Sequence, residues 1–178
     1  MNTHNPVRGM EKMTDTTLLA RFLLDHGVGL VAPPDGRDLE MFRALRPRLR
    51  AVFEADSEQG AVDMLNQLLA THRAVPHYTD HDHEPWHLHV TAERGPGVDQ
   101  LAANAAMGLL AVVTSTGMQR LHTCEGNACA EVFVDTSRNQ SRRYCSPLAC
   151  GNRAHAANHR ARIRARSARA AGGDANRL

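Results

Sequence analysis

Apolar side chains recur at helical spacing in three segments of the first half of the chain. Thr14 or Asp15 can cap the first segment, and Gly27 is placed to end it. The second covers residues 38–55, where Pro47 is expected to kink or divide the helix because proline lacks an amide donor. The third covers about residues 58–72. These segments predict a largely helical N-terminal region.

The hydrophobic period then shortens from that of a helix to that of a strand. Apolar and polar side chains alternate over residues 86–91, which is typical of a half-buried strand. A partner strand near residues 75–79 and a polar turn at residues 80–85 complete a predicted β-hairpin. An Ala- and Leu-rich stretch from about residue 97 to 116 predicts a largely buried helix, and Gly117 ends this domain.

The four cysteines form two close pairs, Cys124-x4-Cys129 and Cys145-x4-Cys150. Zn²⁺ prefers four thiolates at tetrahedral positions, and two close pairs on separate turns supply them with little chain strain. In a cytoplasmic protein this pairing favours metal over the alternatives, two disulfides or reduced structural thiols. Gly126 and Asn127 lie inside the first pair, where a tight turn is expected to need positive backbone torsions. Four thiolates leave no open coordination position, so we predict one structural zinc ion.

The residues after the first cysteine pair predict the shape of this zinc module. Residues 132–134 are expected to form a strand and residues 137–139 a turn. Ser146 can cap a helix that begins at Pro147, which places Cys150 in its first turn. The predicted order is a knuckle, a hairpin and a helix that contains the last ligand. This order is typical of a treble-clef-like or zinc-ribbon-like module.

Charge is divided unevenly along the chain. The formal net charge is +2, but residues 120–178 hold 11 arginines against four acidic residues, a balance of +7, whereas residues 1–119 have a balance of −5. A clustered basic end indicates an anionic partner, most commonly nucleic acid, although a solvated basic tail is the alternative. Arginine outnumbers lysine 20 to 1, which a GC-rich genome also explains.

The basic end contains a predicted helix from about residue 148 to 170, in which alanines separate the arginines. At 100° per residue one stripe holds Arg153, Arg160 and Arg164. A second stripe, interpreted as a neighbour of the first, holds His155, His159, Arg162, Arg166 and Arg169. Because arginine binds phosphate or the guanine edge bidentately, we interpret the helix as a nucleic-acid-binding surface, with a solvated helix as the alternative.

Eight residues are candidate nucleic-acid contacts: Arg142, Arg143, Asn152, Arg153, Arg160, Arg162, Arg164 and Arg166. Asn139 is a further candidate for phosphate. Asn152 and Arg153 have an alternative role inside the module, in which Asn152 bonds backbone groups around the zinc and Arg153 pairs with Asp135. One of the two arginines at 142 and 143 can likewise brace the hairpin.

Histidines are concentrated around the predicted N-terminal hairpin, where five fall within residues 77–89. Together with the acidic residues of the turn they suggest a second metal site, for Zn²⁺ or Ni²⁺, or a pH sensor. The residues of that site would be His81, His83, His87 and His89. A polar strand face and turn explain the same residues without metal.

The C-terminal part of the chain resembles the CGNR zinc-finger family, whose signature appears here as Cys150-Gly151-Asn152-Arg153. Residues 132–139, residues 141–145 and the arginine-rich helix also resemble that module. Upstream, residues 81–89 resemble the ABATE domain that usually precedes it, and the likeness is weak over the first 35 residues. The resemblance implies a stress-linked bacterial transcription regulator. His155 stands where a lysine is common in the family, which makes positive charge there depend on pH.

The predicted organisation has four parts. Residues 1–13 are a flexible lead-in, residues 14–119 an ABATE-like helical domain with a β-hairpin, residues 120–171 the CGNR zinc finger, and residues 172–178 a flexible tail. The predicted fold class is α+β, with a mainly helical N-terminal domain followed by a small four-cysteine zinc module that ends in the arginine-rich helix.

We therefore predict a zinc-dependent DNA-binding regulator rather than an enzyme, with double-stranded DNA as the partner and RNA as an open alternative. A zinc-stabilised protein-interaction module, whose arginine helix binds an acidic surface, is the second hypothesis. The third is a metalloenzyme built on the His/Asp/Glu turn, for which the sequence offers no nucleophile, acid and base set.

We expect the protein in the cytoplasm without a membrane partner. Residues 1–13 lack the features of an export signal, and apolar stretches such as residues 107–113 are shorter than the roughly 20 residues of a membrane helix. A homodimer is also expected, because one finger alone binds DNA weakly.

Overall fold

Four helices form most of the N-terminal domain in the computed structural model, which describes residues 1–79, 87–90 and 97–173. They are α1 (Thr16–Asp25), α2 (Gly36–Phe53), α3 (Glu58–Thr71) and α4 (Gly97–Thr116). Each covers a segment in which hydrophobic periodicity or composition predicts a helix, so these predictions are confirmed.

Side-chain caps fix where the first three helices begin. Asp15 accepts a hydrogen bond from the amide of the third residue of α1, and Ser57 does the same for α3. Asp35 and Asp38 form a reciprocal capping box at the start of α2. Gly27, at φ +71°, follows the end of α1 in the left-handed conformation that glycine adopts without strain.

The expectation at Pro47 is a kink or a division of the helix. Helix α2 runs through Pro47 as one helix, so a division is wrong, and a kink stays a prediction. The reason lies in the apolar face of the helix. Leu45 and Leu49, on either side of the proline, are both buried in the core, and Pro47 itself is exposed. Burial of that face holds the helix together across the missing amide hydrogen bond.

The predicted hairpin is present as strands β3 (Pro76–Thr79) and β4 (His87–Val90). They pair antiparallel, with Pro76 opposite Val90 and Thr79 opposite His87. The predicted turn at residues 80–85 lies outside the described residues.

The core of the protein is shared by the helical domain and the first strands of the C-terminal module. Leu65 of α3 and Val98 of α4 are fully buried, and Leu121 and Val132 of the module belong to the same apolar cluster. Helix α4 was expected to be largely buried, but only one of its faces is: Val98, Ala102, Ala103, Ala106, Leu109 and Val113.

By length and composition alone, α4 is apolar enough to cross a membrane, although the apolar stretches of the sequence are expected to be too short for this. Its buried face packs against α2 and α3. A core helix in that position meets the same criteria of length and composition.

The C-terminal module begins with a 3₁₀ turn (Met118–Arg120) and an antiparallel hairpin of β5 (Leu121–Thr123) and β6 (Val132–Val134). A π-helical turn (Pro147–Gly151) then leads into α5 (Asn152–Gly173). The predicted strand and the Ser146 cap are confirmed. The predicted tail begins too early, because α5 continues through Gly173; residues 174–178 lie outside the described part. The fold is α+β, as predicted.

The interpretation of residues 1–13 as a flexible lead-in is wrong. These residues form a short hairpin of β1 (His4–Asn5) and β2 (Met10–Glu11), and Met13 is buried in the core. Glu11 forms a two-oxygen ion pair with Arg46 of α2, at 2.6 and 2.7 Å. We call residues 1–13 the N-terminal clasp, because the segment also bonds to the zinc module.

Bonds from the clasp to the module involve both backbone and side-chain groups. The side-chain amide of Asn2 donates to the Val132 carbonyl at 2.8 Å and accepts from the Val132 amide at 3.0 Å. The Arg8 Nε donates to the Ala128 carbonyl at 3.1 Å. The clasp therefore connects α2 to the region of the cysteines.

Candidate metal centre and nucleic-acid interface

The four cysteine sulfur atoms lie within 4.8 Å of one another, although the two pairs come from separate parts of the module. Cys124 follows β5, and Cys129 ends the knuckle between β5 and β6. Cys145 precedes the Ser146 cap, and Cys150 lies in the π-helical turn. The described fold thus brings together all the predicted ligands.

Sulfur spacing fits a tetrahedral ion. A Zn–S bond of about 2.3 Å separates the sulfur atoms of a regular tetrahedron by about 3.8 Å. The Sγ atoms of Cys129 and Cys145 are 3.8 Å apart, and those of Cys145 and Cys150 are 3.6 Å apart. None of the four is in a disulfide. With four soft donors and no further ligand among the described groups, the site fits one structural zinc ion.

Backbone amides support the ligand sulfurs. The amides of Gly126 and Cys145 point at the Cys124 Sγ, at 3.4 and 3.3 Å. Such N–H groups stabilise thiolates, because they place positive partial charge beside the sulfur. Cys124 and Cys150 are also buried, which excludes water from one side of the site.

The knuckle differs from its prediction in which residue has the unusual backbone. Neither Gly126 nor Asn127 has a positive φ; Ala128 does, at +55°. Gly126 is needed for space instead. A Cβ there would lie 3.1 Å from the Cys150 Cβ and 3.3 Å from the Cys124 Sγ. Close approach of the backbone to the thiols, rather than torsion, explains the glycine.

Arg153 of the signature tetrapeptide contacts a zinc ligand. Its Nη2 donates to the Cys150 Sγ at 3.1 Å. Burial tends to raise the pKa of the Cys150 thiol, but the hydrogen bond from Arg153 and those from the other thiols together lower it. Arg153 thus has the module role left open by the sequence, although its partner is Cys150 and not Asp135.

Asp135 pairs with backbone groups at the end of β6. Its carboxylate accepts from the amides of Ser137, at 2.7 Å, and Arg142, at 2.9 Å. A hydrogen bond from the Ser137 side chain is the main cause that lowers the pKa of Asp135 to about 2, and the amides of Arg142 and Ser137 lower it further. The fully buried carboxylate therefore fixes the turn that leads to the second cysteine pair.

Arg142 braces the module from the other side of that turn. Its guanidinium donates to the carbonyls of Tyr144 and Cys145 and lies 4.9 Å from the centre of the Phe133 ring. Arg143 is exposed and paired with Glu125. Of the two arginines, Arg142 is the one that braces the hairpin.

Asn152 does not bond backbone groups around the zinc through its side chain. Its exposed side chain has no hydrogen bond within the described part of the chain, while its backbone amide donates to the carbonyls of Ala149 and Pro147. Asn152 remains a candidate contact for nucleic acid, as does the exposed Asn139.

Helix α5 extends away from the module. Every residue from His155 to Ser167 is exposed. The two stripes of the sequence analysis are not neighbours: two positions along an α-helix correspond to about 200°, so Arg162 lies on nearly the opposite face from Arg160. Arg166, four residues after Arg162, follows it. The helix is basic on two opposite faces.

The histidine cluster falls mainly outside the described residues. His81 and His83 lie in an undescribed segment. His87 and His89 belong to β4, where His89 pairs with His77 in the backbone register. The second metal site proposed from His81, His83, His87 and His89 therefore stays a prediction.

Sequence reasoning missed Arg8, Asn2 and Glu11. All three act through contacts with residues at least 35 positions away, in α2 or the zinc module. No periodicity or local motif in the first 13 residues signals these contacts.

Together, the fold and the site define a helical domain that carries a structural four-cysteine zinc module with a basic terminal helix. Two family models match the chain: the ABATE domain, described as "Putative stress-induced transcription regulator", over residues 1–116, and the CGNR zinc finger over residues 120–163. The first match covers more than half of the chain, so the protein belongs to the ABATE family and carries a CGNR zinc finger.

These matches confirm the families and their order along the chain. Neither description names an enzyme class. The ABATE match includes residue 1, in agreement with the structured N-terminal clasp. A search of curated proteins gave no match.

Proposed function

We propose that this protein is a bacterial transcription regulator that binds double-stranded DNA through α5, with the zinc module as the base of that helix. The observation that carries the proposal is the uncompensated charge of α5. Residues 152–173 contain six arginines and no acidic residue. Positive charge held on a rigid helix is the electrostatic requirement for binding a phosphate backbone.

The exposed arginines further along α5 differ in their partners from the three arginines at the zinc loop, Arg142, Arg143 and Arg153. Arg142 and Arg153 are committed to the zinc loop, and Arg143 is paired with Glu125. Four exposed arginines of α5 have no hydrogen bond or ion pair to the described residues of the protein: Arg160, Arg162, Arg164 and Arg166. Those guanidinium groups are available to phosphates or base edges.

The base of α5 supports a fixed direction of the helix. Ser146 caps the π-helical turn, and Cys150 ties that turn to the zinc site. Presentation of a basic helix by a zinc module is an established way to enter a DNA groove.

The test is fluorescence anisotropy of the zinc-loaded full chain with random duplex DNA across a salt series. Wild type is compared with Arg160, Arg162, Arg164 and Arg166 all changed to Ala, which keeps helix propensity high. Loss of as many as four phosphate contacts lowers the magnitude of the log–log salt slope by up to about 3.6.

The control removes arginine from two exposed positions on the helical domain, Arg21→Ala together with Arg37→Ala. These changes should leave affinity and slope close to wild type. If the folded, zinc-loaded wild type binds no duplex even at low salt, the proposal fails, and an acidic protein surface becomes the better partner for α5.

We also propose that the protein acts in the cytoplasm, prefers DNA to RNA and binds as a homodimer. Duplex RNA as a competitor tests the preference. Light scattering with and without DNA tests the dimer, since one finger per monomer offers few contacts.

A further inference from the structure

A groove of about 590 Å³ separates the zinc knuckle from the first turns of α5. Residues 126–128 of the knuckle line it, together with Ala154, Ala157 and Asn158 of α5. Its volume lies within the roughly 300–1,000 Å³ typical of ligand clefts.

Four arginines line this groove, against one glutamate: Arg8, Arg143, Arg153 and Arg160. Arg143 is occupied by Glu125, and Arg153 by the Cys150 sulfur. Arg8 uses its Nε for the Ala128 carbonyl, at 3.1 Å, and its terminal nitrogens have no partner in the described residues. Arg160 likewise has none. Two guanidinium groups of the groove lining therefore remain available, one from the N-terminal clasp and one from α5.

We propose that this groove binds a phosphodiester group of the nucleic-acid backbone, held between Arg8 of the N-terminal clasp and Arg160 of α5. The inference rests on the proposed DNA binding and adds a residue outside the zinc finger to the interface. A phosphate is the fitting ligand, because its oxygens accept from several guanidinium groups at once and its charge matches the surplus of arginine.

The position of Arg8 is fixed from both sides. The Glu11–Arg46 ion pair holds the clasp on α2, and the bond to the Ala128 carbonyl holds Arg8 on the knuckle. Such preorganisation lowers the side-chain ordering cost of binding. The ABATE domain thereby completes the anion site of the zinc finger.

The two faces of α5 provide a matched comparison. Arg160 lines the groove, whereas Arg162 does not and lies about 200° further round the helix. A phosphate in the groove couples Arg8 to Arg160 energetically. It leaves Arg8 and Arg162 independent, because residues without a shared partner have additive effects.

The experiment is a double-mutant cycle on the zinc-loaded full chain, with random duplex DNA as the probe. The single variants are Arg8→Ala, Arg160→Ala and Arg162→Ala, and the doubles combine Arg8→Ala with each helix variant. We expect Arg8→Ala to weaken binding about 10-fold and to reduce the salt slope by about 0.9. In the Arg160→Ala background the same change should cost about 3-fold or less, and in the Arg162→Ala background again about 10-fold.

Arg8→Lys is the second variant, because Arg8→Ala also removes the bond to Ala128. It should restore the salt slope while recovering only part of the affinity, since lysine keeps the charge but not the planar fork. Zinc content and melting temperature are measured for every variant, so that DNA affinities are compared only among folded, zinc-loaded proteins.

Two results overturn the groove site while leaving the proposed function intact. In the first, the Arg8→Ala variant binds duplex DNA as tightly as wild type does, whereas the variant that lacks the four arginines of α5 fails to bind. In the second, Arg8→Ala lowers the affinity for DNA by the same factor in the Arg160→Ala and Arg162→Ala backgrounds. Arg8 would then contact a phosphate that it does not share with Arg160. Failure of wild type to bind DNA at low salt overturns the proposed function itself.

Discussion

Gly126 shows how a single residue type is set by the metal site. The glycine has an ordinary φ, but its Cα lies so close to the thiols that any Cβ meets Cys150 and Cys124 at 3.1–3.3 Å. Ala128, two residues later, has the left-handed backbone at φ +55° and accepts bonds from the clasp through its carbonyl. We therefore expect zinc affinity to fall when a methyl group is added at Gly126, but not when one is removed at Ala128.

We predict that Gly126→Ala lowers zinc affinity about 10-fold, equivalent to about 1.4 kcal/mol, because the added methyl group pushes two ligands apart. Competition with a chromophoric chelator measures the affinity. Ala128→Gly is the matched control: it relieves a left-handed alanine and should bind zinc at least as tightly as wild type. Equal affinity of Gly126→Ala and wild type would contradict this account of the glycine.

Glu11 is the residue whose charge most directly secures the clasp. The hydrogen bonds from Arg46 are the main cause that lowers the pKa of Glu11 to about 2, from 4.5. A carboxyl with a lowered pKa stabilises the folded state fully above its unfolded value, near pH 4.5. That stabilisation is lost as the pH falls from about 4.5 to about 2.

We predict that Glu11→Gln reduces the free energy of unfolding by about 2 kcal/mol at pH 7, since the bonds to a charged group are weakened. The difference from wild type should shrink between pH 4.5 and pH 2. Urea denaturation at a series of pH values measures it. Acid also releases zinc, but from both proteins alike. Glu40→Gln, at an exposed site on α2, the helix that contains Arg46, should match wild type at every pH.

At the scale of elements, the N-terminal clasp extends the sheet of the zinc module. Strand β6 pairs with β5 on one edge, and the Asn2 side chain bonds the amide and carbonyl of Val132 on β6. A side-chain amide thus occupies the place of a third strand. This contact caps an exposed edge and joins residues 130 positions apart.

We predict that Asn2→Ala speeds hydrogen exchange at the Val132 amide and destabilises the protein by about 1–2 kcal/mol, because both bonds are lost. The Asn2→Asp variant distinguishes the contributions of the two hydrogen bonds. Its carboxylate still accepts from the Val132 amide but no longer donates, so we expect the amide to stay protected while part of the stability is lost. Unchanged exchange in Asn2→Ala would show that the clasp does not secure β6.

The elements divide clearly into those that sequence predicts and those that it does not. Helices α1 to α3 repeat apolar residues with a helical period and are capped by Asp15, Asp35 and Ser57, so local information suffices. The cysteine spacing likewise indicates the zinc site. The clasp is polar and aperiodic, and its structure comes from partners such as Arg46 and Val132 that lie far along the chain.

Pro47 and Arg153 are two further residues whose structure depends on distant parts of the chain and could not be predicted from local sequence. Because Pro47 lacks an amide donor, local sequence predicts a kink or a division of the helix there. Burial of Leu45 and Leu49 in the core nevertheless keeps α2 continuous. Composition marks Arg153 as one more basic residue of a nucleic-acid surface, whereas only the folded arrangement reveals its bond to the Cys150 sulfur. Which arginines remain available for a ligand is a property of tertiary structure.

For the whole molecule, the central question is how far zinc controls the helical domain. The module has few large apolar residues of its own, and two of them, Leu121 and Val132, belong to the common core. Arg50 of α2 also donates to the Ala130 carbonyl. The helical domain and the zinc module therefore share a boundary, although α1 to α4 have their own buried residues.

We predict that removal of zinc unfolds residues 121–151 and leaves most of the α1–α4 signal intact in circular dichroism. Zinc binding contributes roughly 10–16 kcal/mol in small zinc modules, more than the apolar contacts of this one can replace. The melting temperature of the remaining helical domain should fall, because its core loses Leu121 and Val132 and the clasp loses its partner strand.

Binding to duplex DNA should disappear with zinc and return when zinc is restored, since α5 loses the turn that fixes its start. Cys129→Ser provides the matched variant with one ligand weakened; it should reproduce the zinc-free state at low zinc concentration and recover at high concentration. Hydrogen exchange separates the two possible causes of lost binding. Fast exchange in residues 121–151 with protected α2 and α3 supports a module that depends on metal for its fold. Protection of residues 121–151 without zinc would instead mean that the shared core alone holds the module, and the metal would then act on α5 only.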